Sequence, residues 1–248
     1  MNLLSAPAPS PAAVAGFTAL VVAVVGTTIA AVPAAARSAG EDEAAALQRR
    51  NRLAAGLAAW LAVTWLAAAS GVLATFDRMP PPLLPFMGLT AVASTILAFS
   101  SLGGVLARGL PIAALVGFHA FRVPLEIILY QLSLDGVLPV QMTFDGMNYD
   151  IVSGLSAVAV ALWAAWGRPP RAVLMAWNVL GLTLLLVIVT IAVLSAPVPF
   201  RVFMNEPANT IIATTPFVWL PTVLVQAAWI GHLLVFRRLG ARLWAQPR

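Results

Sequence analysis

The chain contains no cysteine and no lysine, and only 9% of its 248 residues carry charge. Without cysteine there is no disulfide, no thiolate metal site, no cysteine nucleophile and no thiol redox chemistry. Without lysine there is no amine for a Schiff base, so retinal, the first expectation for a bundle of seven bacterial membrane helices, is excluded. All 14 basic residues are arginine. A globular domain averages about 25% charged residues, so 9% charged against 61% apolar is too little to clothe a water-soluble surface. The charges also gather between long apolar runs instead of recurring along amphipathic periods, as in a chain whose solvent is lipid.

Apolar stretches lie near residues 14–36, 53–76, 84–107, 110–133, 151–167, 172–195 and 211–236, the fifth being the shortest. Each is read as a helix crossing a hydrocarbon core about 30 Å thick at about 1.5 Å per residue. The expected fold is an all-α integral membrane protein, one polytopic domain forming a bundle of about seven transmembrane helices. Arg37, Arg49, Arg50, Arg52, Arg108, Arg168, Arg171, Arg237, Arg238, Arg242 and Arg248 fall on one side of that bundle. Arg78 and Arg201 fall on the other, with Asp77, Asp135, Asp145, Asp150 and Glu206. The positive-inside rule then sets the N-terminus outside and the C-terminus in the cytoplasm. The isoelectric point of about 11.2 follows from the same arginines; they mark helix ends, not an aromatic-interleaved stripe, so nucleic acid is not an expected partner. The Ala, Arg, Pro and Val bias is that of a GC-rich bacterial genome, and the expected location is the bacterial plasma (inner) membrane.

A cleaved signal peptide ending near VPAAARSAG is disfavoured, since it has no basic start and would leave Arg49, Arg50 and Arg52 outside. Residues 37–52 read as a polar cytoplasmic connection whose acids precede its arginines, in keeping with a helix dipole. The tail from Phe236 is an orientation anchor in which Leu243 and Trp244 would dip into the membrane surface. Residues 134–150 carry two Asp-Gly signals and are expected to form a small hairpin around Asp145 and Gly146. Together with residues 198–210 they would cap the outer mouth.

The fourth span is the most pointed feature. At 100° per residue His119, Arg122, Glu126, Tyr130 and Ser133 form one polar stripe, and charge in hydrocarbon must face the bundle interior or a cavity. Arg122 and Glu126 stand four apart and are expected to pair on their own helix, with Pro124 favouring a kink between them. On the seventh span Thr215, Trp219, Thr222, Gln226 and Trp229 share a second stripe, interrupted by Pro216 and Pro221. Counting rise from each span's start sets Arg122 and Glu126 level with Trp219 and Thr215, and Asn178 near Gln226. The same count puts His119 about 14 Å above the cytoplasmic face and His232 about 32 Å below the outer one, at the interface, so a shared haem iron is not expected. No cofactor or metal is expected, and no calcium loop, phosphate-binding glycine loop, zinc-protease motif or nucleophile elbow is present.

These residues point to a protein that binds or transports a small molecule or ion in a polar intramembrane cavity. Its substrate-binding residues would be Arg122, Glu126, Tyr130, Trp219, Gln226 and His119. Arg122 would neutralise an anionic group, and Glu126 would be the proton- or cation-responsive group. The alternatives are an integral-membrane enzyme acting on a lipid or isoprenoid, with Glu126, Asp145 or Asp150 as acid-base group, and a non-catalytic accessory subunit. Expected partners are membrane lipids, an unidentified small molecule or ion, and another membrane protein or a second copy of the chain.

Overall fold

The computed structural model describes residues 7–244, the last four by backbone alone, so the surface contacts expected of Leu243 and Trp244 lie outside the described residues. Every regular element among them is helical: α1 (Pro11–Ser38), α2 (Glu43–Ala69), α3 (Leu83–Phe99), α4 (Ser101–Gly109), α5 (Ile112–Gly117), α6 (Arg122–Leu134), α7 (Asp150–Trp166), α8 (Arg171–Ser195) and α9 (Val225–Trp244). Five helical runs are long and apolar enough to cross a membrane, counting α5 and α6 as one, and six if the bent pair α3 and α4 is one more. α7 is apolar but shorter.

Local chemistry sets the boundaries. Ser10 caps α1 by accepting from the Ala13 amide, with Pro11 supplying the first helical residue. Asp42 caps α2 from the Ala45 amide at 2.7 Å, so the acids and arginines of residues 43–52 belong to the helix itself. The second span therefore runs over 43–69, not 53–76, and ends at Gly71, whose φ of 76° suits a residue without a side chain. The third span is not a straight rod to residue 107. It breaks at Ser100, and α4 leaves at 60°. Gly103 allows this bend, because a Cβ there would lie 2.1 Å from the Ala98 carbonyl oxygen. The fourth span runs on as one helical rod but tightens midway: a 3₁₀ turn, Phe118–Phe121, joins α5 to α6 just ahead of Pro124, where the imino nitrogen has no hydrogen to offer.

Contacts at the helix ends alternate along the chain. At one end the Ser10 amide donates to Asp135 (2.7 Å), and Gln141 joins Ser195 (2.8 Å) to Asn205 (2.6 Å). At the arginine-rich end Arg49 meets Glu41 and Ser101, Arg237 reaches the Ser100 carbonyl, and Arg238 donates to that of Arg108 at 2.6 Å. The two long connections thus touch through Gln141 and Asn205, as a cap requires. Residues 134–150 contain no hairpin, however. Gly136, with φ of 72°, ends α6 by letting Val137 and Leu138 bond back to the Leu132 carbonyl, so the first Asp-Gly signal is a helix stop. The second lies in a turn after a 3₁₀ segment, Val140–Met142.

Candidate functional site

α7 runs antiparallel to α5 and α6 in close contact. A Cβ on Gly154 would lie 2.8 Å from Val123, and one on Gly117 3.2 Å from Ala161. This register brings Asp150, the first residue of α7, to the level of Arg122, although α6 continues twelve residues further. The connection 135–149 consequently folds back along α6. Leu138, Met142 and Asn148 are buried there, and Phe144 stacks on Tyr130 with ring centroids 4.8 Å apart.

The consequence is a buried polar cluster at mid-bundle. Arg122 Nη1 donates to Asp150 Oδ1 at 2.7 Å and to the Gly181 carbonyl at 3.3 Å. Its Nη2 lies 3.2 Å from His232 Nε2. A guanidinium can only donate, so Nε2 accepts; Nδ1 then carries the imidazole proton and gives it to Asn178 Oδ1 at 2.8 Å. Asn178 Nδ2 donates to the His232 carbonyl, and the three helices α6, α8 and α9 are locked through one side chain from each. Glu126 forms no ion pair among the described residues; both its oxygens accept from Asn148 Nδ2 at 2.8 Å. Asn148 Oδ1 in turn accepts the Asp150 amide at 3.0 Å. The expected pairing of Arg122 with Glu126 is thus corrected: an acid from another helix reaches the guanidinium head-on, whereas the preceding-turn geometry with Arg ahead of Glu is the poorer one.

His119 is wholly buried, and neither ring nitrogen has a hydrogen-bond partner among the described residues. It stacks on His232 with centroids 4.1 Å apart, and Trp177 stands at its edge at 5.4 Å. The interfacial position read for His232 is wrong, and so is the wide separation of the two histidines. Residues 211–219 form a 3₁₀ turn and bends, and helix begins only around Leu220, in a π-helical turn Leu220–Leu224. From there His232 is about 18 Å down, level with Arg122 and Asn178. Glycines make the fit possible. A Cβ on Gly181 would meet His232 Cε1 at 2.7 Å, and one on Gly231 would meet His119 Nε2 at 2.7 Å.

The same shift separates the other expected residues. Trp219, half-buried, donates to Thr64 Oγ1 at 3.1 Å and packs on Trp65. Gln226 donates to the Pro221 carbonyl, while its buried Oε1 has no partner. Neither joins Arg122 and Glu126. Gln226 instead lines a large cavity of about 1010 Å³ walled by α1, α2, α3, α4, α5 and α9. Thr27, Thr28, Thr90, Ser94 and Thr222 also line it, and Gln48, Arg49, Arg52 and Ser101 stand at its arginine-rich end. The space beside Arg122, Glu126, Asn148 and Asp150 is about 50 Å³. Ligand pockets occupy about 300–1,000 Å³ and a water about 30 Å³, so only the first volume has room for an organic molecule.

Asn148, Asp150, Asn178 and His232 are the cluster members that sequence reasoning did not assign to it. One signal was available. The expected fifth span, at about 17 residues, is short of the roughly 20 that a bilayer needs, a hint that its first residue, Asp150, starts inside the bundle and not beyond its end. No cluster of three or more His, Cys, Asp or Glu among the described residues is arranged to hold a metal.

No curated protein and no solved structure matches the chain. A family model described as a domain of unknown function, DUF8737, matches residues 84–240. That stretch holds α3 to α8, most of α9 and every member of the buried cluster, while α1 and α2, which wall one side of the cavity, precede it. Since the match takes in more than half of the chain, the protein belongs to the DUF8737 family.

Proposed function

We propose that the chain is a bacterial inner-membrane protein crossing seven times, with its N-terminus outside and its arginine-rich end in the cytoplasm. In this reading α7 is the short fifth crossing, and the connection 135–149 fills the outer leaflet depth that α7 leaves. Its role is to bind, and to move or present, a membrane-soluble small molecule. The observation that carries this reading is the cavity of about 1010 Å³, apolar on most of its wall and open beside Gly56. The buried cluster serves as its rigid backing: Arg122, Asp150, His232 and Asn178 hold α6, α7, α8 and α9 together behind the cavity.

Gly56 provides the test. It is exposed, lines the cavity, and a Cβ there meets nothing within 4 Å, so Gly56→Phe sets a large side chain at the cavity's opening. Purified full chain and variant would be extracted with organic solvent and the co-purified small molecules quantified by mass spectrometry. The wild-type protein is expected to carry a near-stoichiometric molecule that the variant loses while keeping its melting temperature. Equal content in both would overturn the reading.

A further inference from the structure

The cavity is charged at one end only. α2 turns Ala45, Gln48, Arg49, Arg52, Gly56 and Trp60 toward it, a three-and-four spacing that defines a single helix face. Arg49 is held by Glu41 through two hydrogen bonds of 3.0 and 2.6 Å, and its remaining Nη1 reaches Ser101 Oγ at 3.4 Å. Ser101, Leu102 and Gly103, the first turn of α4, line the same end and turn the positive pole of a helix dipole toward it. Arg52 is exposed and forms no ion pair among the described residues.

The cavity's depth and opening fit one kind of occupant. From Arg49 to Trp60 is eleven residues of helix, about 16 Å at 1.5 Å per residue, which matches one leaflet of a hydrocarbon core about 30 Å thick. Trp60 closes the top by stacking on Phe86, centroids 6.0 Å apart, and by donating to the Thr222 carbonyl at 3.0 Å. Below it α2 packs along α1 and stands away from α3, and Gly56, Val92, Ala93 and Ile96 are exposed. This inference rests on the cavity-binding reading and names the ligand. We infer that the cavity holds one anionic lipid of the arginine-side leaflet, its chains between α2, α3 and α9 and its head group at Arg52 and Arg49.

Native mass spectrometry of the detergent-solubilised full chain tests this with equimolar dioleoylphosphatidylglycerol and dioleoylphosphatidylcholine. Wild type is expected to retain the anionic lipid over the zwitterionic one by about fivefold for the unpaired arginine. Arg52→Gln should bring that ratio near one without lowering phosphatidylcholine retention, and Gly56→Phe should lose both lipids. Because Arg49→Gln would strand Glu41, the double variant Arg49→Gln, Glu41→Gln isolates the second cation and should lower the wild-type ratio by less than Arg52→Gln does, since Arg49 is already paired. Equal retention of the two lipids by wild type, or an unchanged ratio in Arg52→Gln, overturns the head-group inference and leaves the cavity reading standing. Full retention of both lipids by Gly56→Phe overturns the two together. Displacement of the bound lipid by chain-free glycerol 3-phosphate at comparable concentration would identify a soluble anion as the ligand and overturn the lipid.

Discussion

α9 has two faces that meet opposite conditions. On one, His232 and Ala228 close against a core in which Arg122 and Asp150 are 1% and 4% exposed. On the other, Gln226, Ala227 and Ile230 border about 1010 Å³ of open space. The polar face is the packed one and the apolar face is the open one, the reverse of the expectation that charge marks the cavity. An ion pair in hydrocarbon is tolerable only when its remaining donors and acceptors are filled by protein, which demands contact and leaves no room. Apolar walls make no such demand and can stand apart where lipid chains replace protein neighbours.

The comparison breaks first at the ion pair. Arg122→Leu or Asp150→Leu leaves an unpaired buried charge and is expected to cost about 3–5 kcal/mol, read as a large drop in detergent melting temperature. The double variant Arg122→Leu, Asp150→Leu should recover much of that loss. If the double is as unstable as the sum of the singles, the pair is not the unit that holds α6 to α7. Next is Gly181→Ala, where a methyl 2.7 Å from His232 Cε1 should cost about 1–3 kcal/mol; a neutral result would mean that the histidine is not tightly seated. His119→Leu should go the other way. Removing two buried nitrogens that have no partner is neutral or stabilising by about 1 kcal/mol, and a marked loss of stability would reveal a hydrogen-bonding role.

The smallest effect lies at the bundle's outer end. Burial pushes the Asp135 carboxyl up, but hydrogen bonds from Ser10 and Gln131 outweigh it and hold the group below its ordinary range. A folded-state value below the unfolded one stabilises above the unfolded pKa of about 4 and is lost as pH falls through the lower folded value. The protection factor of the amides at the start of α1, taken against the intrinsic rate at each pH, should therefore fall on acidification below about pH 4. In Asp135→Asn it should already be lowered at neutral pH and respond less to acid.

Much of the architecture was legible because lipid imposes simple rules. Apolar length located α1, α7 and α8 nearly to the residue, and the cost of charge in hydrocarbon singled out His119, Arg122 and Glu126 as inward-facing. What failed was depth. Rise per residue converts to depth only if the starting point is known, and residues 211–219 share the composition of a helix without its geometry. That one offset hid the contacts of His232 with Arg122 and Asn178, and assigned Trp219 and Gln226 to the wrong neighbours. Asp150 and Asn148 were obscured because a connection that folds back into the bundle has no periodic signature. The cavity was illegible for another reason: open space is a relation between helices, and Gly56 looks on paper like the glycines at 154, 181 and 231 that are filled by their neighbours.

The π-helical turn at Leu220–Leu224 has a consequence for the kinds of change this sequence can accept. A π turn holds one residue more than the α-helical turn that would span the same gap. Deleting a single residue within 220–224 would tighten it to ordinary helix and leave both flanks in register. The same deletion between Val225 and His232 would rotate the residues beyond it by about 100° and carry the histidine off the guanidinium. Length variation in this helix is thus confined to one turn, and the spacing from there to His232 is fixed.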